Sequence, residues 1–113
     1  MLEDITARIV EFRDERDWKQ FHSPKNLASS IVIEASELLE LFQWSSDATM
    51  VEDVEARHVD IERELADVMI YCLLMAHDLG IDVESVMSEK MLENEAKYPK
   101  SKASGQSTKY DKL

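Results

Sequence analysis

Apolar positions recur at helical spacing along most of this chain. Leu2, Ile5, Ile9 and Phe12, with charges between them, mark one face of a first helix from about Leu2 to Trp18. Lys19 to Asn26 reads as a loop, with Pro24 stopping regular structure and Asn26 as the N-cap of the next element. A second helix, roughly Leu27 to Gln43, is apolar nearly all round, which is the pattern of a buried helix. Ser45 to about Asp53 forms a polar connector, with room for a short turn. A third helix extends from near Val54 to Leu79, with Gly80 as its stop. Its stretch from Val68 to Ala76 has no polar face apart from the Tyr71 hydroxyl, and one small domain cannot easily surround it. A fourth helix, about Val83 to Lys97, ends at Pro99.

The pattern gives an all-α protomer of four-helix-bundle type. Residues 1–99 make one helical domain and the Ser/Lys-rich residues 100–113 a mobile C-terminal tail. At 113 residues the core is small, so apolar surface is expected to be buried between subunits in a dimer or a dimer of dimers. Only two glycines and two prolines occur, which disfavours a strand-and-turn architecture and leaves no glycine-rich phosphate loop. The single Cys72 lies in an apolar run and reads as a packed small hydrophobe. No disulfide can form within the chain, no run of about 18 apolar residues crosses a membrane, and Glu3 and Asp4 interrupt any signal peptide. The cytoplasm is the expected compartment.

The formal charge of −11 argues against coating a nucleic acid. It also sharpens one local feature. Glu34 and Glu37, then Glu64 and Asp67, are i, i+3 pairs set in the most apolar parts of the second and third helices. Between Asn26 and Glu89 the chain has 15 acidic residues and only Arg57 and Arg63 as basic ones. Ionised carboxylates are rarely buried without a compensating cation, so a bound metal is the simplest partner. Carboxylates without Cys or His suit a hard ion such as Mg²⁺. A solvated face is the ordinary fate of an acidic pair and accounts for Glu40, Glu52, Asp53, Glu55, Asp60 and Glu62. Redox iron is disfavoured, because only Glu55-Ala-Arg-His58 matches the Glu-x-x-His pattern that di-iron bundles need twice.

Glu34-Ala-Ser-Glu37 and Glu64-Leu-Ala-Asp67 resemble the paired acidic motifs of the MazG-like, all-α nucleoside triphosphate pyrophosphohydrolases. Glu15-Arg16-Asp17-Trp18, Gln20-Phe21-His22, Phe42-Gln43-Trp44, Ile70-Tyr71, Lys90-Met91, Asn94 and Tyr98-Pro99 resemble its dCTP pyrophosphatase branch, so the likeness covers nearly the whole chain. It departs at Ile33 and Arg63, where the wider family often has Glu, and at Ile9, where that branch places a polar substrate-contacting residue.

The resemblance implies Mg²⁺-dependent cleavage of a dNTP, dCTP-like by preference, between the α and β phosphates to give a monophosphate and pyrophosphate. Mn²⁺ is the implied substitute ion and nucleotide-pool house-cleaning the implied role. It makes Glu34, Glu37, Glu64 and Asp67 the catalytic and metal-binding set. Trp18, Gln20, Phe21, His22, Trp44, Tyr71, Lys90 and Asn94 become the substrate-binding set. Trp18, Phe21 and Trp44 offer faces on which a base stacks. The rival reading from another class is a non-catalytic oligomeric helical module that binds a nucleotide or a partner.

Overall fold

The computed structural model describes residues 1–113, and every regular element in it is helical. The chain forms two compact units, Met1–Gly80 and Ile81–Leu113. The first holds α1 (Leu2–Glu15), α2 (Pro24–Glu40), α3 (Met50–Ala56) and α4 (His58–Asp78), with a 3₁₀ turn at Lys19–Phe21. The second holds α5 (Val83–Lys97), a four-residue α6 (Lys100–Ala103) and a 3₁₀ turn at Tyr110–Lys112. No helix is long and apolar enough to cross a membrane.

The first helix stops three residues before the expected Trp18, for a backbone reason. Asp17 adopts a left-handed conformation (φ 55), with its N–H bonded to Asp14 O at 3.0 Å and the Trp18 N–H to Arg13 O at 3.1 Å. This is the paired bonding of a Schellman cap, and Asp is one of the few residues besides Gly that tolerates the position. The cap turns the chain so that Trp18 leaves the helix axis and packs edge-on against Phe12, ring centroids 5.7 Å apart.

At the start of α2 the cap is Ser23, not Asn26. Ser23 Oγ accepts the Asn26 N–H at 3.1 Å, and Pro24 opens the helix at a position whose N–H would have no partner in any case. Asn26 instead donates its side-chain amide to Phe21 O at 3.0 Å, tying the 3₁₀ turn to the helix. Ser23→Ala is expected to lower stability by about 1 kcal/mol in urea unfolding.

The third helix expected from near Val54 is broken in two, and its first piece starts at Met50, inside the expected connector. A break at Arg57 (φ −116, ψ 18) separates α3 from α4, and the Arg57 guanidinium donates to Leu41 O beyond the end of α2. Gly80, at φ 65, ends the run beyond Leu79. α2 packs along α4, with α1 and α3 also laid against α4. Leu27, Leu74 and Ala76 are buried at this packing.

One expectation fails for the isolated chain. The second helix is not enclosed: Val32, Ile33 and Leu39 on α2, and Leu65 and Met69 on α4, are all about half exposed or more. Cys72, expected to be packed, is exposed as well. So few helices can cover only one face of α2 and α4, so apolar residues around their full circumference are left without a partner in the protomer.

Candidate functional site

Both acidic pairs fall inside α2 and α4, the two helices that pack along each other. The i, i+3 spacing puts Glu34 and Glu37 on one face of α2. Carboxylate oxygens of Glu34, Glu37 and Glu64 converge to within 4.8 Å of one another. Asp67 is more exposed and stands outside that triad, but its charge acts on both Glu34 and Glu64.

The electrostatics are those of an uncompensated site. Burial, and then the neighbouring Glu37 carboxylate, push the Glu34 carboxyl up to about 7. Burial and the charge of Glu37 raise Glu64 in the same direction. One oxygen of Glu34 and one of Glu64 are buried with no hydrogen-bond partner. No Lys or Arg pairs with any of the four acids. Crowded, orphaned oxygen donors of this kind fit a hard divalent cation, which would satisfy the unpaired lone pairs and reverse the local repulsion.

Beside the carboxylates runs a groove of about 450 Å³. Ile5, Arg8, Ile9 and Phe12 of α1 form one wall, and Asp67, Ile70, Tyr71 and Leu74 of α4 another. Glu34, Trp18, His22 and Arg13 complete it. The groove therefore gathers Trp18, His22 and Tyr71 with two of the four acids. His22 meets Tyr71 edge-on at 6.3 Å, and its Nδ1 is buried without a partner. Burial, helped by the nearby Arg13 charge, lowers the His22 pKa and so favours the neutral ring.

The remaining substrate residues from the sequence reading stand elsewhere. Gln20 is engaged with Asp17, its amide donating to the backbone carbonyl at 2.9 Å and to the carboxylate at 3.0 Å. Phe21 is 62% and Trp44 84% exposed, outside the groove wall. Lys90 and Asn94 lie on α5 in the second unit, where Lys90 pairs with Glu93 at 3.2 Å.

Sequence reasoning missed Arg13. Its side chain is fully buried in the groove wall, and its guanidinium grips Asp78 with two bonds, Nη1 to Oδ2 at 2.7 Å and Nη2 to Oδ1 at 2.8 Å. The partners are 65 residues apart, so nothing local announces the pair. The available signal is that Arg13 falls four residues after Ile9, on the apolar stripe of α1, where a charge needs a partner. Ile5, Ile9 and Phe12, read as a packing stripe, face the groove instead.

Comparison with known proteins follows the same lines. The MazG-like family model matches residues 29–113. The chain is 40% identical to rat dCTP pyrophosphatase 1 and 39% identical to the human protein, over 99% of this chain and 67% of each relative. Its fold matches the crystal structure of a pyrophosphatase from Archaeoglobus fulgidus with a TM-score of 0.83 and 45% identity, over 86% of this chain and 91% of that one.

Proposed function

The chain belongs to the MazG-like family, and from that premise we propose that it is a nucleotide pyrophosphatase acting on a deoxynucleoside triphosphate. The cleaved bond lies between the α and β phosphates, the products are a monophosphate and pyrophosphate, and a dCTP-like substrate is preferred. The role that follows is removal of surplus or damaged nucleotides. The observation that carries this reading is the convergence of Glu34, Glu37 and Glu64 within 4.8 Å, with orphaned buried oxygens, at the edge of a groove walled by aromatic and apolar residues.

Glu34, Glu37, Glu64 and Asp67 would hold Mg²⁺, or Mn²⁺ in its place. When bound, such an ion supplies charge neutralisation on the phosphate chain and Lewis acidity toward water. The chain's own contribution is positioning. The acids sit on two packed helices rather than on loops, so their spacing is set by the core and little is reorganised during reaction. One of the four takes the proton of the attacking water. The base stacks at the Trp18 end of the groove, where Phe12 braces the indole and His22 also lines the wall. The Tyr71 hydroxyl, one turn beyond Asp67, reaches sugar or phosphate. Gln20, Phe21 and Trp44 complete the substrate surface of the first unit. The bare faces of Phe21 and Trp44 favour a site finished by a second copy of the chain.

The test is direct. Purified protein with Mg²⁺ and a panel of dNTPs should release pyrophosphate, and EDTA should stop it. Release of orthophosphate, or turnover indifferent to EDTA, refutes the reading. Nucleotide binding without turnover would select the non-catalytic module.

The same reading includes a dimer or dimer of dimers, supported by the uncovered apolar faces of α2 and α4. Size-exclusion chromatography with light scattering is expected to give at least twice the 13.0 kDa chain mass. A monomer at micromolar concentration would contradict it.

A further inference from the structure

Two arginines line the groove, and they differ in what they are free to do. Arg13 is buried and held by both oxygens of Asp78, with Asp14 a further 3.6 Å away. Its charge is spent inside the fold. Arg8 is exposed and forms no ion pair, although Asp4 and Glu11 lie one turn away on the same helix. The groove thus holds one unengaged guanidinium and, elsewhere in its lining, Glu34 and Asp67, which themselves lack a cation. If Arg8 served to neutralise those acids it would be paired with them, and it is not.

Position along the helix narrows the role. The Arg13–Asp78 pair joins α1 to α4 near the C-terminal end of each. From that pin both helices carry their groove-lining residues in the N-terminal direction, α1 through Ile9 and Arg8, α4 through Tyr71 and Asp67. Arg8 lies about 7.5 Å along its helix from the pin, toward the N-terminus of α1, at 1.5 Å per residue. Its neighbours on the α1 wall, Ile5 and Ile9, are apolar, so it is the only group on that wall able to pair with an anion.

The geometry points to Arg8 as a substrate-binding residue that pairs with non-bridging oxygens of the polyphosphate chain, in the groove that Glu34 and Asp67 also line. The inference deepens the function proposed above and rests on it for the identity of the anion. A guanidinium presents its donors as a planar fork that matches phosphate oxygens two at a time, which a hydrated ammonium does not do. In a protein of net charge −11, such a contact offsets part of the repulsion that an incoming triphosphate meets.

The experiment measures binding apart from turnover. Isothermal titration of wild-type protein, Arg8→Gln and Arg8→Lys with inorganic tripolyphosphate in Mg²⁺, and with a deoxynucleoside lacking phosphate, is paired with kcat/KM for pyrophosphate release. Arg8→Gln is expected to weaken tripolyphosphate binding and lower kcat/KM by about tenfold, with deoxynucleoside affinity and Tm unchanged; Arg8→Lys should recover part of the loss. Tripolyphosphate affinity in Arg8→Gln within twofold of wild type overturns the assignment, as does wild-type protein that binds no tripolyphosphate. The two readings fail separately. Normal turnover in Arg8→Gln removes Arg8 and leaves the pyrophosphatase standing. Arg8-dependent tripolyphosphate binding without dNTP turnover removes the pyrophosphatase and keeps Arg8.

Discussion

Glu37→Gln is expected to reduce pyrophosphate release by about 1,000-fold or more, the several kcal/mol that a bound cation contributes in phosphoryl-type chemistry, while making the metal-free protein more stable. The two effects share one cause. Glu37 meets Glu34 and Glu64 within 4.8 Å, and its carboxylate helps to raise the pKa of each. An amide of nearly the same shape would remove the proposed cation ligand and a source of repulsion together. Removing such strain commonly adds about 0.5–2 kcal/mol, a few degrees in Tm. The pH dependence has a definite sign. Glu34 stands at about 7 in the folded chain against an ordinary 4.5, so folding favours its protonated form. Metal-free wild type should therefore lose stability as pH rises from about 4.5 through 7, and Glu37→Gln should lose less. Melting curves in EDTA at pH 5 and pH 8 measure this. Mg²⁺ at 100 times its dissociation constant should add about 2.7 kcal/mol to wild type and little to the variant. Activity within tenfold of wild type, or a lower metal-free Tm in the variant, would remove Glu37 from the site.

Arg13→Met should cost about 3–5 kcal/mol, a large share of the 5–15 kcal/mol that holds a domain of this kind. The loss comes from stranding Asp78, whose side chain is only 13% exposed, without its partner. Replacing both members by apolar residues of similar volume leaves no buried charge. Arg13→Met with Asp78→Leu should therefore lie close to wild type, and the double-mutant cycle should return a coupling of several kcal/mol. The Arg13 guanidinium holds the Asp78 carboxyl below its ordinary 3.8. The pair's contribution is thus fully present above about pH 3.8 and disappears as pH falls below it, so wild type should show an acid transition there that the double variant lacks. Urea unfolding across pH 7 to 3 tests both statements. A cost below 1 kcal/mol for Arg13→Met would mean that Asp78 finds water, and the pair would then be no anchor for the groove.

Much of the architecture is legible in a linear reading because its causes are local. A 3.6-residue repeat of apolar positions is enough to mark α1, α2, α4 and α5, and Gly80 marks an end because few other residues take its φ of 65. Boundaries set by single hydrogen bonds were less visible. Ser23 and Asn26 are both acceptable caps by type, and only the bond between them shows which one caps. The break at Arg57 carries no glycine or proline; it is accompanied by a long side chain reaching back to Leu41.

The acidic site divides in the same way. Spacing and the shortage of nearby bases are properties of the chain, and they single out Glu34, Glu37, Glu64 and Asp67 as candidates, of which the fold brings the first three together. How far Asp67 stands from the other three, which oxygens are orphaned and where the groove runs depend on how α1 and α2 lie against α4. The Arg13–Asp78 pair is the clearest case. A count of charges between Asn26 and Glu89 finds only Arg57 and Arg63, whereas the cation that enters the interior comes from α1, 65 residues from its partner. Periodicity acts within a few residues along the chain, whereas Coulomb and packing forces act through space, so only packed helices reveal which arginine is locked and which is free.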